Sequence, residues 1–259
     1  GLCDDLRYYG NWMRDEARRR IGHLYPNAQI TKEMAKGRPD LRDYVGEELP
    51  VIAWLWARTV QCQNPACHAD IPLLSSFDLS GRPGFEAHLK PVIDKDKPSV
   101  HFDIGTGSIS DDPPPKVGRG AQFRCLVCGD TSSEQVVRAQ FAEKKDGSQL
   151  LAMVINGAKG RLYLPANDEH VKAAMSAEPE EYPDEEMNQD TPDLVSGRGY
   201  GFTRWHELFT KRQLAALTMF VALLEEVRNK LRHDVALADG FDLDTEEYVA
   251  AISTYLAFC

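Results

Sequence analysis

Four of the six cysteines in this chain stand in two close pairs, Cys62-Gln-Asn-Pro-Ala-Cys67 and Cys125-Leu-Val-Cys128-Gly129. Each pair follows a strand-like run and sits where the chain must turn tightly. A turn of this kind aims two sulfurs at one point, and two such knuckles make a tetrahedral four-sulfur site with metal–sulfur distances of about 2.3 Å. Zinc suits it, being borderline soft and free of redox chemistry. The knuckles are 57 residues apart. Closing that loop costs on the order of 3–5 kcal/mol in chain entropy, whereas a structural zinc contributes roughly 10–16 kcal/mol. The metal therefore wins. Two disulfides are the rival arrangement, disfavoured in a cytosolic chain, and free buried thiols are the bland one. The first pair has the wider gap, so His68, next to Cys67, is an alternative fourth ligand. Four cysteine ligands leave no open coordination position, which marks a structural rather than a catalytic metal. Cys3 and Cys259 stand alone near the termini.

Other chemistry is scarce. The chain has no GxxxxGK[ST], GxSxG, HExxH or GxGxxG signature. Gly105-Thr-Gly107 reads as a hairpin corner. Asp112-Pro-Pro-Pro115 resembles the Asp-Pro-Pro-aromatic motif of amino-methyltransferases, but proline stands where the stacking aromatic is needed, so it reads as a decoy. His23, His88, His101, His170, His206 and His233 have no acid or nucleophile at a useful spacing and read as surface or capped histidines. The four tryptophans read as core. No catalytic and no cofactor-binding residue is identified.

The elements that would hold the knuckles can be read from periodicity. Residues 4–21 predict an amphipathic helix with Leu6, Tyr9, Met13 and Ala17 on one face, Asp4 or Asp5 at its start and Gly22 as a stop. Residues 26–50 predict a loop. VIAWLWARTV at 51–60 predicts a buried strand. Short strands are expected at 89–94, 99–104, 121–125, 134–140, 150–155 and 160–164, punctuated by GRPG, DKDKP, DDPPPKVGRG and KKDG. Residues 176–200 are acidic and proline-bearing and predict an extended connection. Two capping boxes follow, Thr210 with Gln213 and Asp244 with Glu247. Behind the first, Leu214, Leu217, Val221, Leu224, Val227 and Leu231 form a predicted apolar stripe; behind the second, Tyr248, Ile252, Tyr255 and Leu256 do so. The expected fold class is α+β: a zinc-ribbon-type antiparallel β module flanked by an N-terminal helix and two C-terminal amphipathic helices. Its expected divisions are 1–50 (helix and loop), 51–165 (β-rich zinc-ribbon module), 166–200 (acidic linker) and 201–259 (helical segment).

Composition limits the function classes. At 42% hydrophobic and 27% charged the chain is an ordinary globular one. No apolar run reaches the roughly 18 residues of a membrane span, and the charged first twenty residues are no signal peptide, so a cytoplasmic location with no membrane partner is expected. The net charge of −10 is uneven. Residues 166–259 carry 8 bases against 19 acids, while 116–161 carry 8 bases against 4 acids. This argues against indiscriminate nucleic-acid binding, but a local phosphate-facing surface is allowed. Its candidates are Arg119, Arg124, Arg138, Lys144, Lys145, Lys159 and Arg161, with Lys116 beside them.

Five separated blocks carry a family resemblance: GLCDDLRYYGNWMRDEARRRIGHLYP, VIAWLWARTVQCQNPACHADIPLLSSFDLS, RGAQFRCLVCGD, QLLAMVINGAKGRLYLPANDEH and YGFTRWHELFTKRQLAALTMF. Together they are similar to the large adenine-specific DNA methylases that contain a zinc-ribbon module, some of which sit beside anti-phage defence genes. The resemblance implies that Cys62, Cys67, Cys125 and Cys128 hold a structural Zn2+. It also implies that this chain corresponds to the interval between the S-adenosylmethionine-binding motif and the Asp-Pro-Pro-Tyr catalytic motif, neither of which it contains. S-adenosylmethionine would belong to the parent enzyme and not to this segment. The implied role is target recognition in an N6-adenine DNA methyltransferase, with DNA and the rest of the enzyme or other defence-system proteins as partners. The sequence departs from the family around Cys62, flanked by Gln61 and Gln63 where a basic residue and a proline are common, and at His68, where glycine is common. The alternative is a structural or protein-interaction zinc-ribbon module without DNA contact. A complete enzyme acting alone is disfavoured because no cofactor loop is visible.

Overall fold

The computed structural model describes residues 1–188, 201–238 and 244–258. Residues 189–200 of the expected acidic connection, and Cys259, lie outside the described residues. The chain is mixed α/β with antiparallel sheets, and it divides into two compact units. The helical unit holds residues 1–25, 172–184 and 209–259, and the β-rich unit holds 26–171 and 185–208.

The elements run in the order α1 (Leu2–Ile21), β1 (Ala28–Gln29), β2 (Glu48–Leu49), β3 (Val51–Gln61), β4 (Asp70–Pro72), β5 (Asp78–Ser80), β6 (Ala87–Asp94), β7 (Ser99–Thr106), β8 (Phe123–Arg124), β9 (Thr131–Ser132), α2 (Glu134–Ala142), β10 (Gly147–Gly157), β11 (Gly160–Pro165), α3 (Asp168–Met175), α4 (Lys211–Leu237) and α5 (Thr245–Ala257).

The β-rich unit is built on two long strands. β3 and β10 pair antiparallel in a four-stranded sheet of order β11-β10-β3-β4. Every side chain from Leu150 to Ile155 is buried, as expected of a strand covered on both faces. The register slips between Leu150 and Ala152, a bulge that changes which face each residue serves. Leu150, Met153 and Ile155 join a cluster with Ala28, Ile30, Leu41 and Leu164. Leu151 and Ala152 join Phe77, Leu89, Val100, Phe102 and Ile104 on the other side. Leu89, Val100, Phe102 and Ile104 come from the second sheet, β5-β6-β7, and Phe77 directly precedes β5; β7 alternates exposed and buried from Ser99 to Ile104. β8 and β9 form a separate small hairpin.

In the helical unit α1 presents Tyr9, Met13 and Ala17 to Leu223, Val227 and Leu231 of α4 and to Val249, Ile252 and Leu256 of α5. Polar contacts surround that core. The Tyr9 hydroxyl donates to Asp234 Oδ2 at 2.9 Å, Tyr248 donates to Asp5 Oδ2 at 2.7 Å, and Arg20 grips Glu226 with two bonds of 2.6 and 2.8 Å. Burial and the Asp5 carboxylate raise the Tyr248 hydroxyl to about 12. The first expected capping box forms in full, the Thr210 and Gln213 side chains exchanging bonds with each other's backbone; of the second only the cap bond forms, Asp244 Oδ1 accepting from Glu247 N at 2.9 Å. No helix among the described residues is long and apolar enough to cross a membrane.

Several sequence expectations are corrected. Residues 134–140, read as a strand, are helical: the Ser133 side chain caps α2 by accepting from Val136 N, and Val137, Gln140 and Phe141 share its buried face. Residues 26–50 are not wholly loop, since β1 pairs with β2 and a 3-10 helix spans Pro39–Tyr44. The acidic stretch from 166 begins with α3, and Met187 within it is buried. Asp4 and Asp5 lie in the first turn of α1, which starts one residue after Gly1. On α4 the buried stripe is Leu214, Leu223, Val227 and Leu231, whereas Leu217 and Val221 are exposed. Residues 223, 227 and 231 recur at four-residue intervals toward α1 and α5, which leaves 217 and 221 on another flank of the helix.

Candidate metal centre

Each cysteine pair lies at the tip of a hairpin. β3 leads into Cys62 and β4 leads away, with Val60 opposite Ile71 and Gln61 opposite Asp70. The Cys62 amide continues the ladder by donating to Ala69 O at 2.9 Å. Asn64 organises the tip. Its carbonyl accepts from Cys67 N and its side-chain oxygen accepts from Ala66 N at 3.0 Å. The chain then passes through a left-handed conformation at His68, with φ 53°. The second tip repeats this logic on β8 and β9. Cys125 N donates to Asp130 O at 2.7 Å, Gly129 N donates to Cys125 O at 3.0 Å, and Gly129 turns the chain with φ 84°. That conformation favours glycine.

The two tips meet. The four Sγ atoms lie within 4.8 Å of one another. Cys62 Sγ is 3.6 Å from Cys128 Sγ, and Cys67 Sγ is 3.8 Å from Cys125 Sγ. Sulfurs at the corners of a tetrahedron of about 2.3 Å radius stand about 3.8 Å apart. A disulfide needs about 2.05 Å, and all four are free thiols. The geometry therefore fits a single tetrahedral ion and not two disulfide bonds. His68 is exposed and stands outside the group, so it takes no sulfur's place.

Backbone amides are aimed at the sulfurs. Asn64 donates to Cys62, Val127 and Cys128 donate to Cys125, and Asp130 donates to Cys128. Four thiolates around a divalent ion leave two excess negative charges, and amide donors offset that charge. Without a cation, burial pushes the Cys62 and Cys125 thiols upward, so both keep their protons at neutral pH. Burial also acts on the more exposed Cys128, but the Asp130 amide and the neighbouring thiols outweigh it and lower that group.

The sulfurs are part of a core as well as a ligand set. Cys62, Cys67 and Cys125 pack with Val60, Ile71, Phe123, Val137, Phe141, Met187 and Phe202. α2 adds a polar contact invisible in the sequence. β10 stops pairing with β3 at Thr59, so the outer edge of Gln61 has no strand partner among the described residues. The buried Gln140 side chain replaces it: Gln61 N donates to Gln140 Oε1 at 2.8 Å, and Gln140 Nε2 donates to Gln61 O at 2.9 Å. The residue before Cys62 is thereby clamped.

The basic candidates are not equivalent. Arg138 pairs with Glu134 at 2.7 Å, Lys145 pairs with Glu143 at 2.7 Å, and Lys144 pairs with Glu207. Glu207 also accepts from the amides of Thr203 and Arg204, and together with Lys144 these hold its carboxyl below the usual range. Arg124 is half-buried, its guanidinium 3.4 Å from Pro113 O. Arg119, Lys159 and Arg161 are exposed and make no ion pair among the described residues. No family model matches the chain, and no curated protein or solved structure matches it.

Proposed function

We propose that this chain is a zinc-stapled, non-catalytic segment of an N6-adenine DNA methyltransferase, and that its β-rich unit is a zinc-ribbon module serving target recognition. The observation that carries the metal half of this reading is the four-sulfur cluster, with its 3.6 and 3.8 Å separations and its amide donors. The ion would be held by Cys62, Cys67, Cys125 and Cys128, and would supply rigidity rather than reactivity, since four sulfurs fill its coordination shell. The methylase half rests on the five sequence blocks described above. On that reading S-adenosylmethionine and the methyl-transfer groups belong to the remainder of the enzyme, and this segment meets duplex DNA.

A second reading is a protein-interaction module without DNA contact. It is favoured by the acid partners of Arg138, Lys144 and Lys145, and by the exposed Leu217, Phe220 and Val221 on α4. A duplex-DNA titration at low salt separates the two. Salt-sensitive binding supports the recognition segment. No binding at any accessible protein concentration refutes it and leaves the interaction module.

A further inference from the structure

We infer that the phosphate-contacting surface of the β-rich unit is a three-cation cluster, Arg82, Lys159 and Arg161, assembled around the β10–β11 turn, with Arg82 stacked on Phe85. The inference rests on the DNA-contact reading above and locates its contact.

The cluster is made by two turns. Arg82-Pro83-Gly84-Phe85 is a tight turn in which Phe85 N donates to Arg82 O at 2.8 Å and Gly84 has φ 78°. Proline second and a left-handed glycine third is the type II pattern. It brings the first and fourth side chains together, and the Arg82 guanidinium lies 4.6 Å from the centre of the Phe85 ring. The other turn joins β10 to β11, where Gly157 pairs with Gly160. It is fixed from beneath, because the Tyr44 hydroxyl accepts from Ala158 N at 2.6 Å. Gly160 has φ 147°, and a side-chain carbon built there would stand 3.7 Å from both Arg82 Nη1 and the Phe85 ring. Arg82 and Phe85 thus lie directly over Gly160, whose chain neighbours are Lys159 and Arg161.

All three cations are exposed and make no ion pair among the described residues. This sets them apart from Arg138, Lys144 and Lys145. A guanidinium stacked on an aromatic ring is held in place while its N–H donors stay available, which suits bidentate contact with phosphate oxygens. Two rigid turns also spare the ordering entropy that a flexible basic tail would spend on binding. The partner that fits is the phosphate backbone of duplex DNA.

The test measures fluorescence anisotropy of a short labelled duplex against the zinc-loaded full chain, between about 50 and 200 mM salt. Each phosphate contact contributes about −0.9 to the slope of log affinity against log salt. The combined variant Arg82→Ala, Lys159→Ala, Arg161→Ala should flatten the slope by about 2.7, so that over this range the wild-type chain loses roughly 40-fold more affinity than the variant. A control combining Arg138→Ala, Lys144→Ala and Lys145→Ala should keep the wild-type slope, and unchanged zinc content shows that both variants are folded. Wild-type binding with an unchanged slope in the first variant, or an equal change in the control, overturns the location while leaving DNA contact intact. Absence of wild-type binding overturns DNA contact itself. Polyglutamate competing as well as unlabelled duplex reassigns the cluster to an acidic protein and overturns the inference.

Discussion

Replacing Gln140 with alanine tests how the fold supports the metal centre. Gln140 is buried and makes two bonds, of 2.8 and 2.9 Å, to the backbone of Gln61. Each bond contributes about 1–1.5 kcal/mol, so Gln140→Ala should cost about 2–3 kcal/mol. For a unit of this size, that lowers the melting temperature by about 5–10 °C. Gln61 immediately precedes Cys62, so the loss falls on the knuckle. A penalty of about 2 kcal/mol confined to the zinc-loaded fold weakens zinc binding about 30-fold. Gln140→Glu keeps the acceptor for Gln61 N but sets a buried carboxylate oxygen against Gln61 O, and should cost at least as much as Gln140→Ala. Thermal unfolding by circular dichroism and chelator competition for zinc give the two readouts. Unchanged melting and unchanged zinc affinity in Gln140→Ala would refute the clamp.

Three further perturbations probe the helical core, the second cysteine tip and the thiols. Leu223→Ala removes a fully buried side chain from the helical core and should destabilise that unit by about 2–5 kcal/mol, measured by denaturant unfolding, while zinc stoichiometry stays the same; zinc loss would contradict the two-unit division. Gly129→Ala meets no atom within 4 Å but forces a side chain into φ 84°, so it should cost about 1–2 kcal/mol and weaken zinc retention against chelators; wild-type retention would show that the second tip tolerates another conformation. The metal-free protein should lose stability as pH rises through the ordinary thiol value of 9.0, because Cys62 and Cys125 keep protons in the fold that the unfolded chain releases. Their stabilising contribution is complete below that pH and is lost on going above it, while zinc-loaded protein, with its thiols already ionised, should lack this loss. Unfolding midpoints across the range decide it.

The cysteine site was legible because a knuckle is local: Cys62 to Cys67 and Cys125 to Cys128 each close over a few residues, and only their meeting is long-range. β3, the centre of β10 and the capped helices α4 and α5 were legible for the same reason, through local apolar runs, periodicity and helix-cap residues, whereas the full length of β10, Gly147–Gly157, was not. α2 differs from the strand its sequence suggests because Val136 and Val137 favour a strand in so short a run. Its signal was Ser133 as a cap with Val137, Gln140 and Phe141 at helical spacing. The Gln140 clamp had no sequence signal, since it depends on β10 ending opposite Thr59. Glu134 with Arg138 could have been seen as an i, i+4 pair, but Lys144 with Glu207 spans 63 residues and could not. In the sequence Arg82 is only part of a turn, because its neighbours at Gly160 are supplied by a distant hairpin.

Elemental analysis of chain purified without added metal tests the central claim most directly. One zinc per chain is predicted, with loss of that zinc in a Cys125→Ser, Cys128→Ser double variant. A metal-free wild-type chain that takes up no zinc on titration, or a double variant that keeps its zinc, would contradict it.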